Sequence, residues 1–335
     1  MGDPAGIGGE IAIKAWLGRR DAGLAPFLVL DDPDRLKAIA RSLGRDVPIW
    51  AIGAPEEACA VYSQALPVLP IPLAAPAIPG RPDPANARAV IAAIETAARL
   101  AMAGRAAAIV TNPIHKKTLL DCDFRYPGHT EYLGALAGVK HAPVMMLAVP
   151  GLRVVPVTVH LALADVAKGL TADAIIHAGQ VTAAALVSDF GIVTPRLAVA
   201  ALNPHAGEGG ALGNEEGAVI APAVTALQGA GIDATGPYPA DTLFHAQARA
   251  RFDAVLCMYH DQALIPLKTI DFEHGVNVTL GLPFVRTSPD HGTAFDIAGS
   301  GQASAESLIA ALRLAADLAA RRTEARERGQ IAPTA

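Results

Sequence analysis

Short runs of consecutive apolar residues alternate along the chain with longer segments whose apolar positions recur every three to four residues. Residues 27–30, 107–111, 144–149, 153–159, 197–202 and 253–259 are too short for helices and almost wholly apolar. They are predicted to be strands buried on both faces. Residues 85–103 place Val90, Ile94, Ala97 and Ala101 on one helical face, with Gly104 as the stop. Residues 171–190 predict a second helix. Residues 215–229 predict a third that kinks or restarts at Pro222. A fourth runs from Ser304, as N-cap, to near residue 328, with Gly329 behind it. Ile11, Ile13, Ala15, Trp16 and Leu17 predict an amphipathic helix near the start. The alternation indicates α/β layers. Residues 67–84 hold seven prolines and read as an extended surface crossing rather than a strand. Residues 330–335 are expected to fray.

At 335 residues the chain is long enough for about two domains with sizeable cores. Charged residues are only 18% of it, which excludes a disordered chain. A formal net charge of −5 and an aromatic content of 4% argue against nucleic acid and anionic membranes as partners. Any phosphate ligand therefore needs a local cluster. Cys59, Cys122 and Cys257 form no CxxC pair, which fits a reducing compartment. The first residues lack a basic stretch followed by an apolar run, so no secretory signal is predicted. Prolines 143, 150 and 156 and Arg153 break the longest apolar stretch, which is no transmembrane helix. A soluble cytoplasmic α/β protein is the expectation.

Three of the apolar runs end in histidine: VPVTVH at His160, AVAALNPH at His205 and AVLCMYH at His260. Ligands of open α/β sheets bind at the carboxyl ends of strands. Three neutral imidazoles at one rim would hold a divalent metal and leave positions for substrate and water. Each histidine alone reads better as a strand-end residue bonded to a carbonyl. Asp261 follows His260, and Asp241 lies in GPYPADTLF. Either could orient a ligand or take a proton, although Asp241 reads better as a helix N-cap.

YPGHTEYL suggests a turn feeding a helix with Thr130 as N-cap, whose free N–H groups, with His129 beside them, would bind an anion. Lys268, Asn277 and Arg286 lie further on, and the short apolar run between the last two predicts one strand flanked by polar groups. Lys268 and Arg286 on composition alone read as solvated charges. GDPAGIGGE and GEGGALGNEEG both miss the dinucleotide fingerprint, so a Rossmann unit is poorly supported. HGTAFDIAGSG, containing His291, Gly292, Thr293 and Asp296, resembles the stretch by which isopropylmalate and isocitrate dehydrogenases hold the adenosine end of their dinucleotide.

With MGDPAGIGGEI, VTNPIHKKTL, YPGHTEYL, LNPHAGEGGALGNEE, GPYPADTLF, YHDQALIPLK and GVNVTLGLPFVRTSPDHGTAFDIAG, the chain resembles the 4-hydroxythreonine-4-phosphate dehydrogenase family from its first residue to about Gly301. The resemblance implies two α/β/α domains with a cleft between them, isocitrate/isopropylmalate dehydrogenase-like and non-Rossmann. The cofactor side would be residues 1–120 with about 281–335. The metal, substrate and dimerisation side would be about 121–280. It implies a homodimer with the active site at the subunit interface, and one divalent metal (Zn, Mg or Co) on His160, His205 and His260, two from one subunit and the third from its partner. Substrate contacts would fall on His129, Thr130, Lys268, Asn277 and Arg286, and NAD or NADP on His291, Gly292, Thr293 and Asp296. Asp241, Asp261 and Lys268 are the candidates for proton transfer.

The implied reaction oxidises C3 of 4-phosphooxy-L-threonine and then releases CO2, giving 3-amino-2-oxopropyl phosphate. Rival readings are a dehydrogenase of threonate or erythronate 4-phosphate, a metal-dependent phosphohydrolase, and a non-catalytic metabolite-binding protein. Family members carry a short strand ahead of the first glycine motif, whereas here Met1 opens the motif. A chain starting there is expected to leave residues 2–9 without an anchor, weakening folding or cofactor affinity.

Overall fold

The computed structural model describes residues 1–120, 122 and 124–329; the fraying expected at 330–335 lies outside them. Along the chain run α1 (Gly8–Leu17), β1 (Val29–Asp31), α2 (Pro33–Ser42), β2 (Ile49–Ala51), α3 (Ala58–Val61), β3 (Leu66–Pro70), α4 (Ala87–Met102), β4 (Ala108–Val110), α5 (Lys116–Leu120) and α6 (His129–Leu136). There follow β5 (Val144–Val149), β6 (Leu152–Pro156), α7 (Leu163–Gly169), α8 (Ala172–Ser188), β7 (Arg196–Ala200), α9 (Ala221–Gly229), β8 (Asp233–Tyr238), α10 (Ala246–Arg249), β9 (Ala254–Cys257), α11 (His260–Ile270), β10 (Val276–Leu280), β11 (Val285–Pro289) and α12 (Glu306–Glu327). The α/β class is as the alternation predicts. Two compact units divide the chain. The first is Met1–Ala142 with Leu282–Ala319; the second is Pro143–Gly281 with the end of α12 from Ala320.

In the first unit, β1, β3 and β2 form a parallel sheet with β3 in the middle. This corrects the reading of residues 67–84 as a surface crossing throughout. A parallel strand donates its N–H groups alternately to its two neighbours. Leu66 N bonds Pro48 O at 2.8 Å on the β2 side, and Ile71 N bonds Asp31 O at 3.0 Å on the β1 side. Pro67 therefore faces β1 before its pairing begins at Val29, and Pro70 faces β2 after its pairing ends at Ala51. Both missing donors fall where the neighbours run out. One core gathers Ile11, Ile13, Trp16, Leu36, Leu66, Val68, Leu308 and Ile309. Another packs Val90, Ile94, Tyr132 and Leu133 against Leu282 and Phe284. That packing places α6 in the first unit, whereas the expected boundary near residue 120 assigned it to the second. Asp32 caps α2 by accepting from Asp34 N and Arg35 N, and Gly104 ends α4 at φ +68°.

The second unit orders its strands β10-β5-β6-β9-β7-β8. β10, β5 and β6 pair antiparallel, β5 and β6 being joined at Pro150–Gly151 with Gly151 at φ +80°. β6, β9, β7 and β8 are all parallel. Leu147, Val154, Ala198, Val255 and Leu267 lie in the core on one face. Thr171 caps α8 through Ala174 N. The third predicted helix restarts as expected, a wide turn over Glu216–Ile220 giving way to α9, with Pro222 in its first turn. β10 and β11 replace the single strand expected between Asn277 and Arg286. Both residues lie inside strands, because Gly281 at φ +84° turns the chain between them.

Candidate active site

The four parallel strands β6, β9, β7 and β8 all deliver their carboxyl ends to one edge. His160 follows β6, His260 follows β9 as the first residue of α11, His205 follows β7, and Asp241 follows β8. Neighbouring strands stand about 4.8 Å apart, so residues separated by a hundred positions leave the sheet side by side. The His160 and His260 rings have centroids 6.4 Å apart. A ring bound through one nitrogen at about 2.1 Å places its centre about 3.2 Å from a metal, so two rings on one ion stand about 4.5–6.4 Å apart. A tetrahedral site would hold two such rings about 5.2 Å apart and only a collinear pair reaches 6.4 Å, so within one chain these two rings stand wider than a shared ion would draw them, although imidazole donors as such suit a borderline divalent ion. His260 Nδ1 bonds Asp261 Oδ1 at 2.7 Å. When Nδ1 donates, Nε2 carries the lone pair, the tautomer a metal ligand needs. Among the described residues, no group of three or more His, Cys, Asp or Glu within one chain is arranged to hold a metal.

Asp241 is exposed inside the short helical turn Ala240–Thr242 and is not the N-cap that its context suggested. Pro239 occupies that position, and its carbonyl accepts from Thr242 Oγ1 at 2.9 Å. Lys268 is half-buried on α11, with Nζ 5.5 Å from the centre of the Phe272 ring. Asn277 points from β10 with Oδ1 buried and unpartnered.

His205 sits on an unusual backbone. His205, Ala206, Gly207, Glu208 and Gly209 all have positive φ, between 45° and 75°, making a left-handed turn. Three of the five carry a Cβ, and left-handed geometry costs such residues roughly 1–2 kcal/mol each. Glu216, 6% exposed, holds the entry to this turn. Its Oε1 accepts from Leu202 N at 2.9 Å and Asn203 N at 2.7 Å, and its Oε2 from Asn203 Nδ2 at 3.0 Å. A Cβ on Gly207 would stand 2.6 Å from Glu216 Oε2, so only glycine fits there. Sequence reasoning passed over Glu216. Its signal was an acid near the end of the glycine-rich stretch 207–217, which is also what a solvated loop looks like.

Three of the residues expected to bind an anion, His129, Thr130 and Arg286, lie in the first unit. Arg286 on β11 is 4% exposed, not the solvated charge that composition suggested, and its Nη2 donates to Thr111 Oγ1 at 2.5 Å. Burial pushes its pKa down to about 10, with Glu131 working in the opposite direction. His129 opens α6. Burial, then the neighbouring Arg286 charge, hold its pKa well below the ordinary histidine value. Its Nε2 is buried and unpartnered. Gly128, extended at φ −178°, takes the N-cap position. Thr130 lies one residue inside the helix, a correction to its expected role as cap. Gly128 supplies no side-chain acceptor, so the first N–H groups of α6 receive no side-chain cap.

In the HGTAFDIAG stretch, His291 Nδ1 lies 2.9 Å from Gly292 O, and its Nε2 is buried and unpartnered. Gly292 and Asp296 are exposed, and nothing stands within 4 Å of a Cβ built on Gly292. An orphaned imidazole nitrogen beside an open glycine suits a polar ligand such as a nucleotide. The stretch is backed by residues 2–9: Ile7 N donates to Thr293 O at 3.1 Å. Those residues are anchored, contrary to expectation. Asp3 N donates to Pro113 O at 2.9 Å, and Arg35 donates to Pro4 O while also binding Asp31.

The family described as "Pyridoxal phosphate biosynthetic protein PdxA" matches residues 23–315. The chain is 56% identical over 326 residues to a 4-hydroxythreonine-4-phosphate dehydrogenase of Caulobacter vibrioides, covering 96% of each chain. It is 54% identical to one of Xanthobacter autotrophicus, covering 95% of this chain and 92% of that one. A crystal structure of the Klebsiella pneumoniae 4-hydroxythreonine-4-phosphate dehydrogenase superposes with a TM-score of 0.86 at 38% identity, covering 95% of this chain and 98% of that one.

Proposed function

Because the chain belongs to the PdxA family of pyridoxal phosphate biosynthetic proteins, we propose that it dehydrogenates 4-hydroxy-L-threonine 4-phosphate at C3, with loss of CO2 to give 3-amino-2-oxopropyl phosphate. It is an oxidoreductase acting on a phosphorylated small molecule. The observation that carries the reading is the delivery of His160, His260 and His205 from three adjacent parallel strands to one edge. No single helix among the described residues is long and apolar enough to cross a membrane, and the reading places the enzyme in the cytoplasm.

In this reading His160, His205 and His260 hold one divalent ion, Zn, Mg or Co, two from one protomer and one from its partner. When bound, such an ion polarises the substrate hydroxyl and lowers its pKa. His291, Gly292, Thr293 and Asp296 would hold a nicotinamide cofactor, NAD or NADP, which would supply the hydride acceptor. Asp261 keeps His260 in the ligating tautomer through the 2.7 Å bond at Nδ1. Arg286 and His129 bind an anionic end of the substrate. Arg286 brings full charge, and His129, neutral under ordinary conditions, brings a hydrogen bond without a second positive charge to desolvate. The free N–H groups of α6 at Thr130 add to that site. Asn277 Oδ1 accepts from a substrate donor, and Lys268 and Asp241 are the groups left to move protons. The test is a spectrophotometric assay of reduced nicotinamide formation with each cofactor, with and without chelator. Turnover that stops on chelation and returns with metal is expected. Phosphate release without nicotinamide reduction overturns the reading.

A further inference from the structure

We infer that Glu216 is a positioning residue for His205: it fixes the strained left-handed turn on which that imidazole is presented to the metal. The inference rests on the reading of His205 as a metal ligand. Three observations carry it. The turn from His205 to Glu208 holds three residues with a Cβ in the left-handed region, where such residues rest only if their surroundings hold them. The Glu216 carboxylate takes three hydrogen bonds from the two residues that lead into the turn, Leu202 and Asn203. Its Oε2 packs where any side chain at Gly207 would have to go, so carboxylate and turn fit each other face to face. Asn203 extends the brace, because its Nδ2 also donates to Glu215 Oε2 at 2.7 Å. The wide turn over Glu216–Ile220 delivers the carboxylate to this place from the next element. β7 ends at Ala200, so the brace grips the chain in the loop beyond the strand.

Glu216→Gln is the informative change. A glutamine oxygen still accepts from Leu202 N and Asn203 N, but its NH2 meets the Asn203 NH2, donor against donor. The full-length protein, freed of metal with chelator, is titrated with Co(II) and followed by visible absorption, with melting temperature recorded alongside. Glu216→Gln is expected to weaken cobalt binding by about 10- to 100-fold, the range for groups that orient a metal ligand. Adding Ala206→Gly to that variant is expected to restore part of the loss, because glycine adopts the left-handed conformation without steric cost. The double variant separates a positioning role from general destabilisation, since the added glycine makes no new contact. If Glu216→Gln does not give soluble protein, Asn203→Ser removes only the bridging amide and is expected to weaken cobalt at least threefold. Cobalt affinity within twofold of wild type in whichever variant is soluble, while His205→Ala has lost it, overturns the inference. If His205→Ala itself binds cobalt like wild type, the ligand reading fails first and the inference with it.

Discussion

Replacing Arg286 with methionine separates what this residue does for the fold from what it does for the substrate. The guanidinium is 4% exposed, and burial lowers its pKa from 12.5 to about 10, which corresponds to a penalty of about 3 kcal/mol on the charged form. Methionine has a similar reach and no charge, so the substitution relieves that penalty. Against it stands the bond to Thr111 Oγ1, whose loss leaves a buried hydroxyl short of a partner at a cost of about 1–3 kcal/mol. The two nearly cancel, and the melting temperature is expected to stay the same or rise by a few degrees. In the proposed role the substrate loses much more. An Arg fork on a phosphate or carboxylate makes two charge-assisted bonds of about 1.5–3 kcal/mol each, so KM is expected to rise about a hundredfold or more. If the anion is held equally in ground and transition states, kcat changes little. Steady-state kinetics and a melting scan on the same preparation make the test. A large fall in melting temperature with an unchanged KM refutes the reasoning, because Arg286 would then be a structural residue that happens to be buried. A pure kcat effect assigns it a role in the chemistry instead.

His205→Ala is expected to abolish metal-dependent nicotinamide reduction at ordinary metal concentrations, because two imidazoles and water hold a divalent ion far less firmly than three; full activity in the variant excludes the ligand role. His129 supplies a pH signature. Its folded pKa lies below the unfolded value near 6.5, so as pH falls below 6.5 the unfolded chain takes up a proton that the folded one refuses, and stability declines until the folded pKa is reached. His129→Asn is expected to flatten denaturant-measured stability across that window relative to wild type, and an unaltered slope shows that the ring is not held neutral.

The elements legible in the sequence are those whose burial is simple. Val144–Val149 is wholly apolar and lies in the sheet as predicted, and the helices that begin at Thr171 and end at Gly104 carry their own caps and stops. What failed was local chemistry overruled by position. Pro67 and Pro70 argue against a strand only if their missing donors are needed, and the ends of β1 and β2 make them unnecessary. Arg286 reads as a surface charge unless one knows that β11 runs buried beside β4. Thr130 has the right chemistry for a cap, but Gly128 supplies the extended backbone that starts the helix two residues earlier. The glycine-rich stretch after Asn203 could be seen to be special, whereas its hand could not. A run of glycines permits positive φ without requiring it, and His205, Ala206 and Glu208 give no sign that they share it.

Strand order explains why the candidate site spans so much sequence, and why only one of its histidines needs a strained support. In the chain the parallel strands come as β6, β7, β8, β9, but in the sheet they lie as β6, β9, β7, β8. The last strand inserts between the first two, so His260 emerges next to both His160 and His205. No spacing rule in a linear sequence encodes that insertion. It follows from which helices cover which face of the sheet. The exits then differ in kind. His260 opens α11 directly, with an ordinary extended residue, Tyr259, ahead of it. His160 leaves β6 through a short stretch tied to its neighbour by Thr158 Oγ1 donating to Met258 O at 2.7 Å. Twenty residues, 201–220, separate the end of β7 from α9, and only the last five of them form the wide turn Glu216–Ile220. A loop of that length would sample many conformations unless something fixed it. The left-handed turn, tightened by glycines and braced by Glu216, is the means by which this chain gives a loop-borne histidine the rigidity that a strand end or a helix start gives the other two.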